Sequence, residues 1–320
     1  MHPTGITRKR ASALLIGGAL LGALRTPARA QTSVAVRIGV SPIEPAAEAY
    51  YAADMGFFSK AGLDANIQSM RGSSLIVAAM VSGAVDIGFD TLDGLAAQHQ
   101  KGIPLVIIAP CHDYVSPGSL HTQALLVPAN SPIQQAKDLA GKTVAVSTLH
   151  SLADLGARVL IEQNGGDAST VKFVEVPFPA LPAALDSGRV DAAWVVEPFI
   201  TVAQKTSRVL AYGFDGISKH FLVGAWVATQ QWANDHADVV SRFAGAIHDT
   251  AVWANNNPQK SGEILAKYVK IEPAVIGKMA RVHYAEQLTP GLMQPLIDAA
   301  AKYNGIKSVA AQDLIYKRSH

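Results

Sequence analysis

Two serines, Ser73 and Ser74, follow Arg71-Gly72 and precede an apolar run from Leu75 to Val81. Hydroxyls and unpaired backbone N–H groups at a helix start suit an oxyanion or another acceptor, and they equally suit plain helix capping. Ser147-Thr148-Leu149-His150-Ser151 offers the same chemistry ahead of Leu152 to Gln163, with His150 as an added hydrogen-bonding group. Acids end two other apolar runs: Asp90 and Thr91 follow Phe89, and Glu197-Pro198 follows Trp194-Val195-Val196. Two carboxylates in a dry cleft repel a small dianion and favour a ligand with amino, amidine-like or ring N–H donors. Arg71 argues the other way, offering a guanidinium fork to a carboxylate or sulfonate. A zwitterion or a substituted heteroaromatic satisfies both. Phe89 and Trp194 can sandwich a flat ligand, with core packing as the alternative for each.

Catalysis finds little support in the same residues. Ser147, His150 and Asp154 contain a nucleophile, a base and an acid, but they crowd into one short stretch, whereas such groups normally converge from separated segments. His112 and His121 follow the single cysteine, Cys111, without zinc-ligand spacing. No metal or cofactor is expected, and Cys111 reads as a packed thiol.

The elements that must position these residues announce themselves by repetition. Ser82-Gly83-Ala84-Val85-Asp86 returns as Ser187-Gly188-Arg189-Val190-Asp191, 105 residues later. Each copy ends a helical run at a glycine able to take the left-handed conformation, and each leads into a β-branched strand. The strand Val36 to Ser41 has its counterpart, nearly in phase, in Thr143 to Ser147, so two lobes of one plan are predicted. Further strands are expected at Asn66-Ile67, Val85 to Phe89, Leu105 to Ala109, Ala124 to Val127, Val171 to Val176, Val190 to Val196 and Phe221 to Ala228. Helices are expected at Ala46 to Met55, Leu75 to Val81, Leu152 to Gln163, Ala237 to Asn255, Pro273 to Arg281 and Pro290 to Asn304. Alternating strands and helices predict an α/β fold with parallel or mixed sheets. In such sheets a ligand sits off the carboxyl ends of the strands, beside helix N-termini. That rule adds Ser41 and Ile43 to the candidates and gathers Arg71, Gly72, Ser73, Ser74, Phe89, Asp90, Thr91, Ser147, Thr148, His150, Ser151, Trp194 and Glu197 around one cleft.

Of the 320 residues, 49% are hydrophobic and 16% charged, enough apolar material for a large core in two domains. Arg8-Lys9-Arg10, an apolar run from Ala11 to Leu24 and Ala28-Arg29-Ala30 form a secretory signal, cut after Ala30, of Sec or twin-arginine type. The apolar run is too short for a spanning helix. Residues 1 to 30 hold five basic residues and no acid, so their removal leaves 22 basic against 25 acidic side chains, a net charge of −3. No basic patch argues for a nucleic-acid partner.

The motifs Tyr51-Ala52-Ala53-Asp54-Met55-Gly56-Phe57-Phe58, the two Ser-Gly-x-Val-Asp copies and Asp138-Leu139-Ala140-Gly141-Lys142-Thr143-Val144-Ala145-Val146 together resemble the SsuA/THI5-like family of periplasmic substrate-binding proteins of ABC importers. The resemblance covers roughly residues 35 to 260. It implies a type II-like periplasmic binding protein fold, with one lobe from 31–125 and 225–320, a second from 126–224, and a ligand cleft between them. It also implies a small-molecule ligand, an inner-membrane permease as partner and a monomeric, periplasmic protein. A periplasmic sensor subunit and a pyrimidine-forming enzyme of the THI5 type are the alternative readings.

Overall fold

The repeated pentapeptide folds into the same turn twice. In the computed structural model, which describes residues 33–117 and 120–318, Gly83 and Gly188 take φ of 73° and 67°, the left-handed region where a side chain is strained. Each glycine closes a helix: Gly83 N–H donates to Met80 and Ala84 N–H to Ala79, while Gly188 N–H donates to Leu185 and Arg189 N–H to Ala184. The aspartate three residues after the glycine then ties the turn to a parallel strand of its own sheet. Asp86 Oδ2 accepts the Arg37 backbone N–H at 2.8 Å, and Asp191 Oδ2 accepts the Thr143 N–H at the same distance. The conserved geometry of the two turns therefore sets the register of two sheets. The expected leader at 1–30 lies outside the described residues.

Strands β1 (Val34–Val40), β2 (Leu63–Ser69), β3 (Ile87–Thr91) and β4 (Leu105–Val115) belong to the first sheet, and β5 (Gln123–Pro128), β6 (Thr143–Val146), β7 (Lys172–Glu175), β8 (Ala192–Val196) and β9 (Ser207–Tyr212) to the second. The chain then returns to the first sheet with β10 (His220–Thr229) and a short edge strand, β11 (His283–Tyr284). The first sheet runs β11-β4-β10-β3-β1-β2 and the second β7-β6-β8-β5-β9. Setting β11 aside, the two orders are the same. In each, the strand beside the third strand of the unit runs antiparallel to it: β10 against β3, and β5 against β8. Both reversed strands enter directly from the other sheet, and the connections lie at 116–122 and 213–219. These crossings end before the sequence-based boundaries at 125/126 and 224/225, because β5 and β10 already belong to the sheets being entered from Gln123 and His220 onward.

Helix Leu152–Gln163 has its expected bounds, and Ala237–Asn256 extends the expected span by one residue. Val240, Phe243, Ile247 and Ala251 of the latter are buried, while Val252, also expected on that face, is 37% exposed. The span predicted as one helix at 273–281 is helical only over Pro273–Ile276. Trp226 of β10 is fully buried against Phe243 of the Ala237–Asn256 helix and Phe89 of β3, which anchors the returning strand in the first sheet's core. Among the described residues, no helix is long and apolar enough to cross a membrane.

Candidate functional site

Five strand ends and the loops after them surround a cavity of about 230 Å³. From the first sheet come Ser41 and Ile43 after β1, Gly72, Ser73 and Ser74 after β2, and Phe89, Asp90 and Thr91 at the end of β3. From the second come Ser147, Thr148, His150 and Ser151 after β6, and Val196 at the end of β8. Twelve of the predicted residues thus line one space. Gly72 has φ of 103°, open to glycine alone, and a Cβ there would stand 3.8 Å from Thr148 Oγ1, so loops from the two sheets meet at this point. Helices Ser73–Val81, Leu92–Gln100 and Leu152–Gln163 all start at the cavity, and none carries a side-chain cap hydrogen bond at its N-cap. Their leading N–H groups are placed to meet an acceptor or an anion.

The first sheet supplies the opposite character. Asp90 is buried, its Oδ1 accepts the Thr91 N–H at 2.8 Å, and its Oδ2 has no partner. Burial first, then the nearby Asp93 carboxylate, push Asp90 up to about 7, against the pull of the Thr91 N–H and the Ser73 hydroxyl. Burial also raises Asp93, to about 6. The pair sheds part of its charge near neutrality, and Asp90 Oδ2 is an acceptor awaiting a donor.

Three predicted residues lie elsewhere. Arg71 lines an adjoining cavity of about 400 Å³, with Tyr268, Lys270 and Phe178, that shares Ser41, Ile43, Gly72 and Ser147 with the first. Trp194 does not reach either space. It stands two residues before the Val196 end of β8, where its ring packs on Phe214 with centroids 5.0 Å apart and lies so close to Gly156 that a Cβ there would clash at 2.6 Å. The expected Phe89–Trp194 sandwich is therefore absent; Phe89 instead stacks beside His112 at 5.9 Å. Glu197 is buried outside the cavity lining. Its Oε1 accepts the Thr201 hydroxyl at 2.9 Å and the Ala280 N–H at 3.4 Å, and its Oε2 accepts the Thr201 N–H at 3.1 Å. The Glu197-Pro198 turn bends the carboxylate back onto the following helix start, away from the cavity.

The remaining reactive side chains are spent in structure. Asp154 accepts the His150 backbone N–H at 2.9 Å and pairs with Arg158 at 2.6 Å, so its carboxylate holds the loop and does not orient the imidazole. Cys111 Sγ is buried, donates to the Pro45 carbonyl, and is pushed well above the usual thiol range by burial and by Glu48. Among the described residues, no three His, Cys, Asp or Glu side chains are grouped to hold a metal ion.

The NMT1/THI5-like family model matches residues 45–261. The chain belongs to the NMT1/THI5-like family. It is 27% identical over 245 residues to the taurine-binding periplasmic protein of Escherichia coli (strain K12), covering 76% of this chain and 71% of that one. The alkanesulfonate-binding protein SsuA from Xanthomonas axonopodis pv. citri, solved bound to MOPS, superposes with a TM-score of 0.74 at 18% identity, over 89% of this chain and 99% of that one. A Candida albicans protein, the CA3427 gene product, described as exhibiting the generic periplasmic binding protein fold, gives a TM-score of 0.71 at 14% identity, over 89% and 97% of the two chains. The two-sheet architecture is that fold.

In this NMT1/THI5-like chain, sequence reasoning about helix starts missed the residues that strands bring to the cavity. Gln123 at the start of β5 and His112 on β4 both line it, as do Phe178 and Lys101. Gln123 arrives on the reversed strand β5, and His112 is held on β4 beside the reversed strand β10; the reversal leaves no local signal in the sequence.

Proposed function

We propose that this chain is the solute-binding component of an ABC importer, exported to the periplasm, where it captures a small organic molecule and delivers it to a membrane permease. It performs no chemistry on the solute. The observation that carries the reading is the cavity between two like-ordered sheets, walled by three helix starts and by the unpartnered Asp90 Oδ2. Family membership and the similarity to a protein named for taurine binding support it.

The wall chemistry selects a ligand with two characters. Helix starts at Ser73 and Leu152, with the Thr148 hydroxyl, favour an anionic or acceptor end. Asp90 favours an N–H or ammonium end. A zwitterion such as an aminosulfonate, or a donor-bearing heteroaromatic such as an aminopyrimidine, satisfies both, whereas a simple inorganic anion satisfies one. The protein acts as a monomer whose sheets close on the ligand about the 116–122 and 213–219 connections, by hinge motion of the kind general to periplasmic binding proteins.

The test is thermal shift followed by calorimetry on the chain recovered from the periplasm after expression with its own leader. Sulfonates, including taurine, aminopyrimidines and aromatic acids form the panel. At least one member should raise the melting temperature and bind with one-to-one stoichiometry. A folded protein that none of them stabilises overturns the proposal.

A further inference from the structure

His112 lines the cavity and its side chain makes no hydrogen bond inside the protein. It is 2% exposed, and neither ring nitrogen has a hydrogen-bond partner. Buried polar groups left without partners are rare, because each forfeits its bonds to water without compensation. The packing around it holds the ring in place. Phe89 stacks on one side, and Gly224 of β10 lies beneath both rings, where a Cβ would stand 2.9 Å from His112 Cε1 and 2.5 Å from Phe89 Cε2. A glycine at 224 is thus required for the imidazole to lie where it does. The next residue, Asp113, is engaged by His220 and His283, at 2.9 and 2.7 Å, and makes no bond to the His112 ring.

Burial lowers the His112 pKa to about 4, against a smaller upward pull from Asp113, so the ring is neutral at physiological pH. A neutral imidazole presents one N–H donor and one acceptor nitrogen. Across β10, whose Ala225 pairs with Asp90 and whose Gly224 pairs with His112, the same cavity holds the unpartnered Asp90 Oδ2. A third group, Gln123, also lines it. The inner wall therefore carries two side chains, His112 and Asp90, with buried polar atoms unsatisfied by the protein.

We propose that His112 is a ligand-binding residue that, with Asp90, reads the inner end of the solute and requires that end to carry an N–H or O–H group. This deepens the solute-binding reading and rests on it. The corresponding ligand class is small molecules polar at both ends; an alkyl or unsubstituted aromatic end would leave the imidazole and the carboxyl group buried without partners, as they are now. His112 sets specificity through that requirement, while the anionic or acceptor end is held at the helix starts.

The experiment compares matched probes on the wild-type full chain, His112→Phe and His112→Gln, by calorimetry, after circular dichroism confirms that each is folded. The probe pairs are taurine with ethanesulfonate and 4-aminopyrimidine with pyrimidine. Wild type should prefer the donor-bearing member of a pair by tenfold or more, and His112→Phe should lose most of that preference while changing the affinity for the bare member less than threefold. His112→Gln, which keeps a donor and an acceptor, should retain part of the preference and serves as the test if His112→Phe fails to fold. A wild-type protein that binds both members of a pair equally, or variants that keep the full preference, overturns the assignment of His112 alone. A folded wild-type protein that binds none of the four probes and none of the wider panel overturns the solute-binding reading, and this inference with it.

Discussion

Trp194 Nε1 donates to Gln123 Oε1 at 3.2 Å, in a fully buried contact between β8 and β5. An indole can only donate, so the bond fixes which end of the amide is oxygen and leaves the Gln123 NH₂ group as the donor available at the cavity. The tryptophan expected to touch the ligand instead orients a side chain that lines the cavity. Trp194→Phe should weaken binding of the best ligand from the panel by about three- to tenfold, roughly the value of one hydrogen bond. Gln123→Glu, which removes the donor and adds a charge beside the ligand, should weaken it more. Calorimetry on both variants decides, and an unchanged dissociation constant in Gln123→Glu would remove the amide from the site.

Asp86 and Asp191 occupy equivalent turns but are not equivalent in load. Asp191 accepts one backbone N–H, from Thr143, whereas Asp86 accepts the Arg37 backbone N–H and also both Nε and Nη2 of its guanidinium, at 3.0 and 2.6 Å. Asp191→Ala should cost about 1.5–3 kcal/mol, the usual range for a hydrogen bond to a charged group. Asp86→Ala should cost somewhat more, with the increment kept below about 1 kcal/mol because Arg37 is 45% exposed and its ion pair is screened. Urea melts of the two variants check the order, and a larger loss in Asp191→Ala would contradict it.

The repeat was legible in the sequence because glycine and aspartate each have a narrow structural use in it, one at positive φ and one bonded to a strand N–H. The helix starts at Ser73 and Leu152 were legible for the same reason: hydroxyl residues before an apolar run mark a local event. What the sequence hid is non-local. Gln123 owes its place to β5, a strand entering from the other sheet, His112 owes its place to the long β4 paired with the returning β10, and Trp194 was misassigned because, two residues short of the strand end, its ring is taken up by packing on Phe214 and Gly156. The Glu197 carboxylate was misread because a turn that could open toward the cavity instead folds onto Thr201.

Asp90 makes the protein less stable at high pH. Its folded pKa of about 7 lies above the ordinary aspartate value of about 3.9, so the native state binds more protons than the unfolded chain between those values. Stability associated with this group is greatest at low pH and falls as pH rises toward 7, beyond which the full penalty persists. Asp90→Asn keeps an oxygen for the Thr91 N–H and removes the repulsion with Asp93. It should raise the melting temperature at pH 8 by several degrees and change it little at pH 4.5, measured without ligand. An equal shift at both values would show that the carboxyl group is not the source.

His283 and His220 share one buried carboxylate, Asp113, and tie the edge strand β11 and the start of β10 to β4. Burial pushes Asp113 up, but the bonds from His283 and His220 outweigh it and hold the carboxyl below its usual range; the Asp113 bond raises His283 above its own. The Asp113 contribution is present above the ordinary carboxylate pKa and lost as pH falls through its lowered value. That of His283 is full below the ordinary imidazole pKa and lost as pH rises through its raised value. The cluster is therefore strongest between about pH 4 and 6.5. His283→Gln should cost about 0.5–1 kcal/mol at pH 5.5, discounted because the ring is half-exposed, and less at pH 8.5. Melts across that range test the sign.

Glu197→Gln separates a structural acid from a ligand-binding one. The carboxylate accepts from the Thr201 N–H, the Thr201 hydroxyl and the Ala280 N–H, and the Glu197 carbonyl accepts the Glu44 N–H at 3.3 Å, so the end of β8 is tied to two segments distant in sequence. A glutamine has one oxygen for the same donors, and in either orientation its NH₂ group faces a backbone N–H that it cannot satisfy. Leaving that buried donor unpaired costs about 1–3 kcal/mol. Burial raises the Glu197 pKa, with the bonds from Thr201 and Ala280 opposing it. The expected outcome is a lower melting temperature with less than a threefold change in affinity for the best panel ligand. A tenfold weaker affinity at unchanged stability would instead return Glu197 to the ligand and open the second sheet's acid to the cavity.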